Sequence, residues 1–422
     1  MNIWKKLGPG VLLAATSIGA SHLVLSPQAG ALFGYQLLWL VLAAHLLKYP
    51  AFEFGPRYAA ATGHNLLHGY ARMPGPRGWA LWLFLVSTVL QGVGVLAGVV
   101  NVCGAVLGTW TGAGHAEYIS VGIIVLVVML LLRGGFNWLD NLNKIMMAVL
   151  TLATLLAFIP IFPEPSNLLH LVIPSLPNGS LVLVAAILGW MPTGIDVSIW
   201  HSFWTIEKLK SLGLDTCKED DELQTRCDEL SLSLTDMRIG YGLSLATGVM
   251  FVTMGAVYLV GQGNALKGIG FIDALSATYT KTMGLWMAHV FMLTAFFAMF
   301  STSYTVIDGF SRSFSEALGH LFERFSFQSA KNKTYLGFIL FSASLACITL
   351  VLVGNPVTLV TYVALVSLAA APVLYVLNLL CVTMHIQQPK LRPGRLTLVV
   401  GWFGVGTMLL AVGVTIFVKF LR

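Results

Sequence analysis

Gly19-Ala20-Ser21-His22 lies inside the first long apolar stretch of the chain, and Met191-Pro192-Thr193-Gly194 lies inside the sixth. Small residues weaken a helix and proline removes one of its N–H donors, so both stretches read as helices broken part-way along. Hydrocarbon offers no partner to a freed backbone group, and an unwound segment at mid-depth persists only where it lines a protected cavity. Breaks at corresponding places in the two halves of a chain are the sequence pointer to the substrate site of a carrier. The reading is an all-α integral membrane protein with its binding site between the two breaks.

Composition leads to the same class independently. Hydrophobic residues make up 57% of the 422 and charged residues 10%, and the mean hydropathy is +0.81, values that a soluble domain does not reach. A span needs roughly 20 mainly apolar residues. About eleven such stretches are expected, near 9–34, 36–61, 79–108, 116–133, 138–162, 179–204, 237–262, 283–310, 334–353, 357–385 and 396–420. The first lacks a small-residue cleavage site and runs into an interrupted helix, so it is read as a retained span rather than a leader.

With the N-terminus placed inside, Lys5, Lys6, Arg57, Arg72, Arg77, Lys208, Lys210, Arg324, Lys331, Lys390 and Arg395 fall on one side of the membrane, where the positive-inside rule puts them. The expected topology is a multi-pass protein of the cell membrane, N-terminus cytoplasmic and C-terminus outside. The net charge of +6 then reflects topology, and no nucleic-acid partner is implied. Cys103, Cys347 and Cys381 fall in spans, and Cys217 and Cys227 in the polar loop 207–236. That loop, with the run Lys218-Glu219-Asp220-Asp221-Glu222 and then Leu223, Leu230 and Leu234, reads as a solvated helix with a charged face. The segment 314–333 reads as an amphipathic connection at the inner interface. Gly92, Gly94 and Gly98 follow no strand and sit in an apolar helix, which favours close helix packing over a nucleotide loop. No catalytic constellation and no ATP-binding loop is present, so no enzyme and no cofactor is expected.

Gly8-Pro9-Gly10 before the first break, Gln28-Ala29-Gly30 and Phe33-Gly34-Tyr35-Gln36-Leu37-Leu38-Trp39 after it, Thr62-Gly63 after the second span and Met191-Pro192 in the sixth together resemble the Nramp family of metal-ion carriers. The resemblance implies a LeuT-like architecture: helices 1–5 (1–162) and 6–10 (179–385) as inverted repeats, helices 1 and 6 broken, and an additional helix 11 (396–420). It implies secondary active transport by alternating access, with a divalent metal ion as cargo, symport with protons as one form of it, and the bilayer as the protein's other partner. The oligomeric state is left open.

The departures from the family pattern bear on the cargo. Where the family reads Asp-Pro-Gly-Asn in helix 1, with metal-binding Asp and Asn oxygens, this chain has Gly19, Ala20, Ser21 and His22. Met191 keeps the place of the family's thioether ligand, Thr193 stands where the family has histidine, and the family's acidic pair in helix 3 falls near Val89 and Gly92. Loss of the carboxylate removes the main charge compensation for a dehydrated transition metal. Small residues at the break predict a larger chamber, suited to a cation that keeps its water or to a small organic solute.

The expected substrate-binding set is Gly19, Ala20, Ser21, His22, Leu188, Met191, Thr193, Gly194 and Asp196. Of these, His22, Met191 and Asp196 are the candidate metal ligands; His22 is alternatively a hydrogen-bonded structural histidine, and Asp196 a cap or ion-pair partner. Ser301, Ser303 and Asp308 are candidates for coupling or gating. His45, Lys48 and Glu53 read as a cytoplasmic gate or as side chains that snorkel to the interface. A carrier of small organic solutes and a non-transporting sensor remain alternatives.

Overall fold

A computed structural model describes residues 8–133, 136–214, 223–261 and 270–420, with the backbone alone for 136–144 and 419–420. The elements that matter here are α1 (Pro9–Ser17), α2 (Ser26–Phe33), α3 (Leu38–Thr62), α4 (Leu66–Ala71), α5 (Trp79–Thr111), α6 (Ala116–Arg133), α7 (Phe136–Phe158), α8 (Leu181–Trp190), α9 (Val197–Ser211) and α10 (Leu223–Tyr258). They continue with α11 (Gly270–Met283), α12 (Met287–Leu321), α13 (Gln328–Val353), α14 (Pro356–Met384) and α15 (Arg395–Phe420). No strand occurs among the described residues. Among the described residues, eight helical runs are long and apolar enough to cross a membrane.

The first of those runs, Pro9–Thr62, is 54 residues long, far more than one crossing requires. Its contacts with α10 resolve it into two passes. Gly10 lies against Asp236 and Gly240 while Gly30 lies against Val252 and Gly255, so α1 and α2 run in the same direction as α10. Val41 approaches Gly248, His45 meets Ser244 and Tyr49 meets Arg238, so α3 runs the opposite way. The reversal falls at Gly34, whose φ of +58° is a backbone state that glycine adopts without the Cβ penalty.

Two of these contacts hold the first pass to α10 with no side chain between the backbones. A Cβ on Gly30 would lie 2.0 Å from the Val252 carbonyl oxygen, and one on Gly255 would lie 2.1 Å from that of Pro27. Lower down, a Cβ on Gly10 or on Gly240 would come within 1.9 Å of the facing backbone oxygen. Asp236 adds a cap across the same seam, accepting from Gly10 N–H at 2.7 Å and from Gly8 N–H at 3.2 Å. A carboxylate at a helix start meets both unpaired N–H groups and the positive end of the dipole.

Several elements differ from the expected boundaries. The seventh span begins at Leu223 rather than 237, because Leu230 and Leu234 are buried and carry the helix back through what composition presented as a loop. The run 218–222 and Cys217 lie outside the described residues, as do Lys5 and Lys6; Cys103, Cys227, Cys347 and Cys381 are free thiols. Within 314–333, α12 continues to Leu321 and α13 begins at Gln328. Gly92 packs against Phe310 and Phe338, and Gly94 and Gly98 against Val363, as close helix packing requires.

At the end of α3 the sequence has gathered four histidines. The rings of His64 and His68 stack at 4.1 Å, His68 meets His320 edge-on at 5.7 Å, and His385 lies 6.2 Å from Tyr58. Burial, followed by the charges of His64, His320, Arg72 and His385, pushes His68 down to about 4 from 6.5. The unfolded chain therefore binds this proton first as the solution is acidified. The stability His68 supports is intact above about pH 6.5 and is lost progressively toward pH 4. His68→Gln should flatten the fall in melting temperature over that window, measured by intrinsic fluorescence in detergent; an unchanged slope would remove His68 from the acid response.

Candidate functional site

Both breaks form, and each has a local cause. In the sixth stretch, Met191 N–H makes the last α8 bond, to Ile187 O at 2.8 Å, and Pro192 cannot donate the next. Val197 N–H resumes bonding to Gly194 O at 3.2 Å. The interruption, 191–196, begins where the sequence places it. In the first stretch it falls earlier, at Ile18 and Gly19: Ile18 has a non-helical ψ of 59°, while Ala20 is already helical and Ser21–Leu25 forms a π-turn. The wider turn absorbs the extra residue, so Ser21 and His22 lie on a helix that re-forms sooner than their composition suggests.

The two breaks meet. Ser21 Oγ lies 3.2 Å from Pro192 O and 2.9 Å from His22 Nδ1. Between them is a cavity of about 20 Å³ lined by Thr16, Ala20, Ser21, Thr193, Gly194 and Asp196, with Val95 and Val99 of α5, Thr302 and Val306 of α12, and Trp190, Val197 and Trp200 beside the second break. It holds one water-sized body. The larger chamber expected from the small break residues is absent in this conformation, because Trp190 and Trp200 fill the room those residues leave. Gly19 abuts Thr302 on the same side, with 3.3 Å between a would-be Cβ and Oγ1.

Asp196 is 4% exposed and occupies the N-cap position of α9 without capping it. Its carboxylate lies over the loop, where a Cβ on Gly194 would come within 2.3 Å of Oδ1. Glycine at 194 is therefore what lets the carboxylate lie there. No cation comes within ion-pair distance of it among the described residues, so the expected alternatives of cap and ion pair do not account for this side chain.

His22 and Met191 turn the other way. His22 is fully buried, and its Nε2 is 2.9 Å from Ser244 O and 3.1 Å from Ser244 Oγ on α10. The same hydroxyl is 3.2 Å from Nε2 of His45, whose Nδ1 donates to Val41 O at 2.8 Å. A neutral His45 must then accept from Ser244 at Nε2. Met191 extends toward Gly248, where its methyl would be 2.8 Å from an added Cβ. His22 and Met191 are thus neighbours beside α10, and neither lines the cavity that Asp196 lines. No group of three His, Cys, Asp or Glu side chains among the described residues is placed to hold a metal ion. Leu188 packs one turn before the break and is absent from the lining.

Of the coupling candidates, Ser301 is buried beside Thr302, Ser303 donates to Met299 O within its own helix, and Asp308 lies outside the cavity. Asp308 accepts from Tyr335 at 2.7 Å and pairs with Arg312, which also reaches Glu207, tying α12 to α13 and α9. Thr302, which does line the cavity, belongs to the hydroxyl-bearing run 301–305 read from sequence as a candidate ion-path lining, a run that does not show which member faces inward; Thr16 was missed.

Lys48 does not snorkel. It is fully buried, and its Nζ donates to Gly189 O at 2.8 Å and to Thr193 O at 3.4 Å, the last turn of α8 and the break. Glu53 is also buried, paired with Arg57 at 2.6 Å, and Arg57 continues to Leu391 O at 2.7 Å. The sequence signal was a lysine in mid-span; its partner lies over 140 residues away.

Known proteins match this arrangement. The profile of the Nramp family, "Natural resistance-associated macrophage protein-like", matches residues 10–418. An uncharacterized protein of Pasteurella multocida is 30% identical over 397 residues, 88% of this chain and 84% of that one. The divalent metal cation transporter MntH of Chromohalobacter salexigens is 31% identical over 188 residues, 43% of this chain and 42% of that one. Among solved structures, the manganese transporter of Eremococcus coleocola superposes with a TM-score of 0.71 at 17% identity, covering 98% of this chain and 86% of that one. The nucleobase-cation-symport transporter Mhp1 gives 0.59 at 15% identity, covering 96% and 91%. The two superpositions carry the LeuT-like fold that the sequence led one to expect. Matched by the family profile over nearly its whole length, this multi-pass membrane protein belongs to the Nramp family.

Proposed function

We propose that the protein is a secondary carrier that moves a hard divalent cation, of the Mg²⁺ or Mn²⁺ kind, across the cell membrane by alternating access around the breaks at 18–19 and 191–196. The observation that carries this reading is the chemistry of the cavity wall. Its side chains able to ligate a cation are the carboxylate of Asp196 and the hydroxyls of Thr16, Ser21, Thr193 and Thr302, all oxygen, while Met191 is absent from the lining and its methyl lies against Gly248. Oxygen ligands favour hard ions, and thioether sulfur favours soft ones. The metal cargo of MntH supports the class of substrate, and the altered wall supports a shift within that class.

In this reading helices 1–5 and 6–10 form the inverted repeats, the N-terminus is cytoplasmic, and His22 and Met191 stand behind the site rather than in it. α5 carries no acidic residue, so a proton path through that helix has no place in the mechanism. The test is titration calorimetry of the purified protein with Mg²⁺, Mn²⁺ and Cd²⁺. Saturable binding of Mg²⁺ or Mn²⁺ with weaker Cd²⁺ is expected. Preference for Cd²⁺ would return the thioether to the site, and no heat with any ion would favour a small organic solute.

A further inference from the structure

The α8 half-helix ends at the substrate site with its carbonyls exposed, and that end of a helix carries partial negative charge. In a cation carrier these oxygens are available to the cargo. Here they are already engaged. The ammonium of Lys48 reaches from α3 to Gly189 O at 2.8 Å and Thr193 O at 3.4 Å, and Thr193 also lines the cavity. Asp196 lines the same cavity as Thr193, and the two charged groups meet the break from either side without closing to ion-pair distance. With both ionised, the side chain charges of the site sum to zero before any cargo arrives.

We propose that Lys48 is a specificity-determining residue, a tethered cation that occupies the carbonyl end of the site and cancels the charge of Asp196. A neutral site weakly rewards an ion that must shed water, and Mn²⁺ and Cd²⁺ gain most from a charged ligand set. Mg²⁺, which gives up water reluctantly, gains least from such a set. Lys48 thus lowers affinity overall and lowers it most for the ions that bind by losing water. It also explains how the family's first-helix carboxylate is dispensable here: the second break supplies the one negative charge of the cavity, and Lys48 meters it. This rests on the divalent-cation reading above.

Lys48→Met removes the charge and keeps much of the stem, Lys48→Gln keeps a neutral donor for Gly189 O, and Lys48→Arg keeps the charge. Calorimetry on the four proteins should show Mn²⁺ bound at least about tenfold tighter by Lys48→Met and Lys48→Gln than by the parent, with a smaller gain for Mg²⁺. Lys48→Arg should show no gain. The change in the Mn²⁺ to Mg²⁺ ratio is a readout that a purely structural lysine would leave alone. Equal or weaker Mn²⁺ binding in both neutral variants, with the parent binding normally, would overturn the role of Lys48 and leave the carrier reading standing. Binding by the neutral variants alone would support both. Absence of binding in all four would end the divalent-cation reading and this one with it. Should Lys48→Met fail to fold, Lys48→Gln decides the matter, since it restores a donor to the buried carbonyls.

Discussion

Asp196→Asn is expected to weaken Mn²⁺ and Mg²⁺ binding by about a hundredfold, ~2.8 kcal/mol, while the protein remains folded. The size follows from the surroundings. Asp196 supplies the single carboxylate in the cavity wall, and a cation held without it faces hydroxyl dipoles and the ammonium that Lys48 sets on Thr193 O. The absence of a folding defect follows from what the carboxylate does not do. It neither caps α9 nor comes within ion-pair distance of a cation among the described residues, so asparagine of nearly equal volume breaks no direct bond, and the Lys48 ammonium keeps its carbonyl acceptors. The melting temperature should fall slightly at most. Binding within threefold of the parent would show that the cargo does not touch Asp196, and a collapse of the melting temperature would show a structural carboxylate.

The second large effect is mechanical. Gly30→Leu should abolish the folded protein, because the added Cβ meets Val252 O at 2.0 Å and Ala256 N at 2.5 Å, backbone atoms that cannot rotate away. Even Gly30→Ala requires α2 and α10 to separate, and Gly255→Ala meets Pro27 O in the same seam at 2.1 Å. Overpacking of a buried helix contact costs about 1–3 kcal/mol, and separating two helices along a glycine seam costs more, since every contact of the seam is weakened together. Gly122→Ala and Gly406→Ala, with nothing within 4 Å of the new methyl, are the matched controls and should be neutral or slightly stabilising. Size-exclusion profiles and thermal melts in detergent read all five. A monodisperse Gly30→Leu protein with a normal melt would mean that the seam is looser than described.

How far the sequence led can be judged at these residues. Pro192 announced its break to the residue because a missing N–H is a local property. Gly19 to His22 announced a break only approximately, because the chain repairs itself through the π-turn at Ser21–Leu25, and no single residue type signals that repair. The direction of Met191 was not legible. Met191 follows the last residue of α8 with an extended ψ of 134° that turns the chain away after it, and its side chain lies toward α10, a placement set by packing between helices. The size of the cavity depended on Trp190 and Trp200, whose rings reach it only once α8 and α9 are folded. Lys48 was misread for a similar reason: a lysine within a span is satisfied at the interface unless another helix end lies beside it, and the end of α8 is far away in sequence. The helix read over Leu223, Leu230 and Leu234 does form, but it is continuous with the seventh span and turns Leu230 and Leu234 into the bundle, where its charges had suggested a solvated helix.

The glycine seam has a further bearing on how such a molecule moves. Both halves of the first broken helix are fastened to one uninterrupted helix: α1 through Gly10, Gly240 and the Asp236 cap, α2 through Gly30 and Gly255. α10 is a splint across that break, and the two halves cannot change angle unless α10 bends with them. The second break is spanned more thinly. α8 lies against α14, with Gly189 on Ala364 and Leu368, whereas α9 lies against α3, with Ser198 on Gly55, and α3 reaches the end of α8 through Lys48. A change of angle at Met191 to Asp196 would therefore have to stretch the Lys48 tie to Gly189 O and Thr193 O, whereas one at Ile18 and Gly19 would have to carry the whole of α10 along.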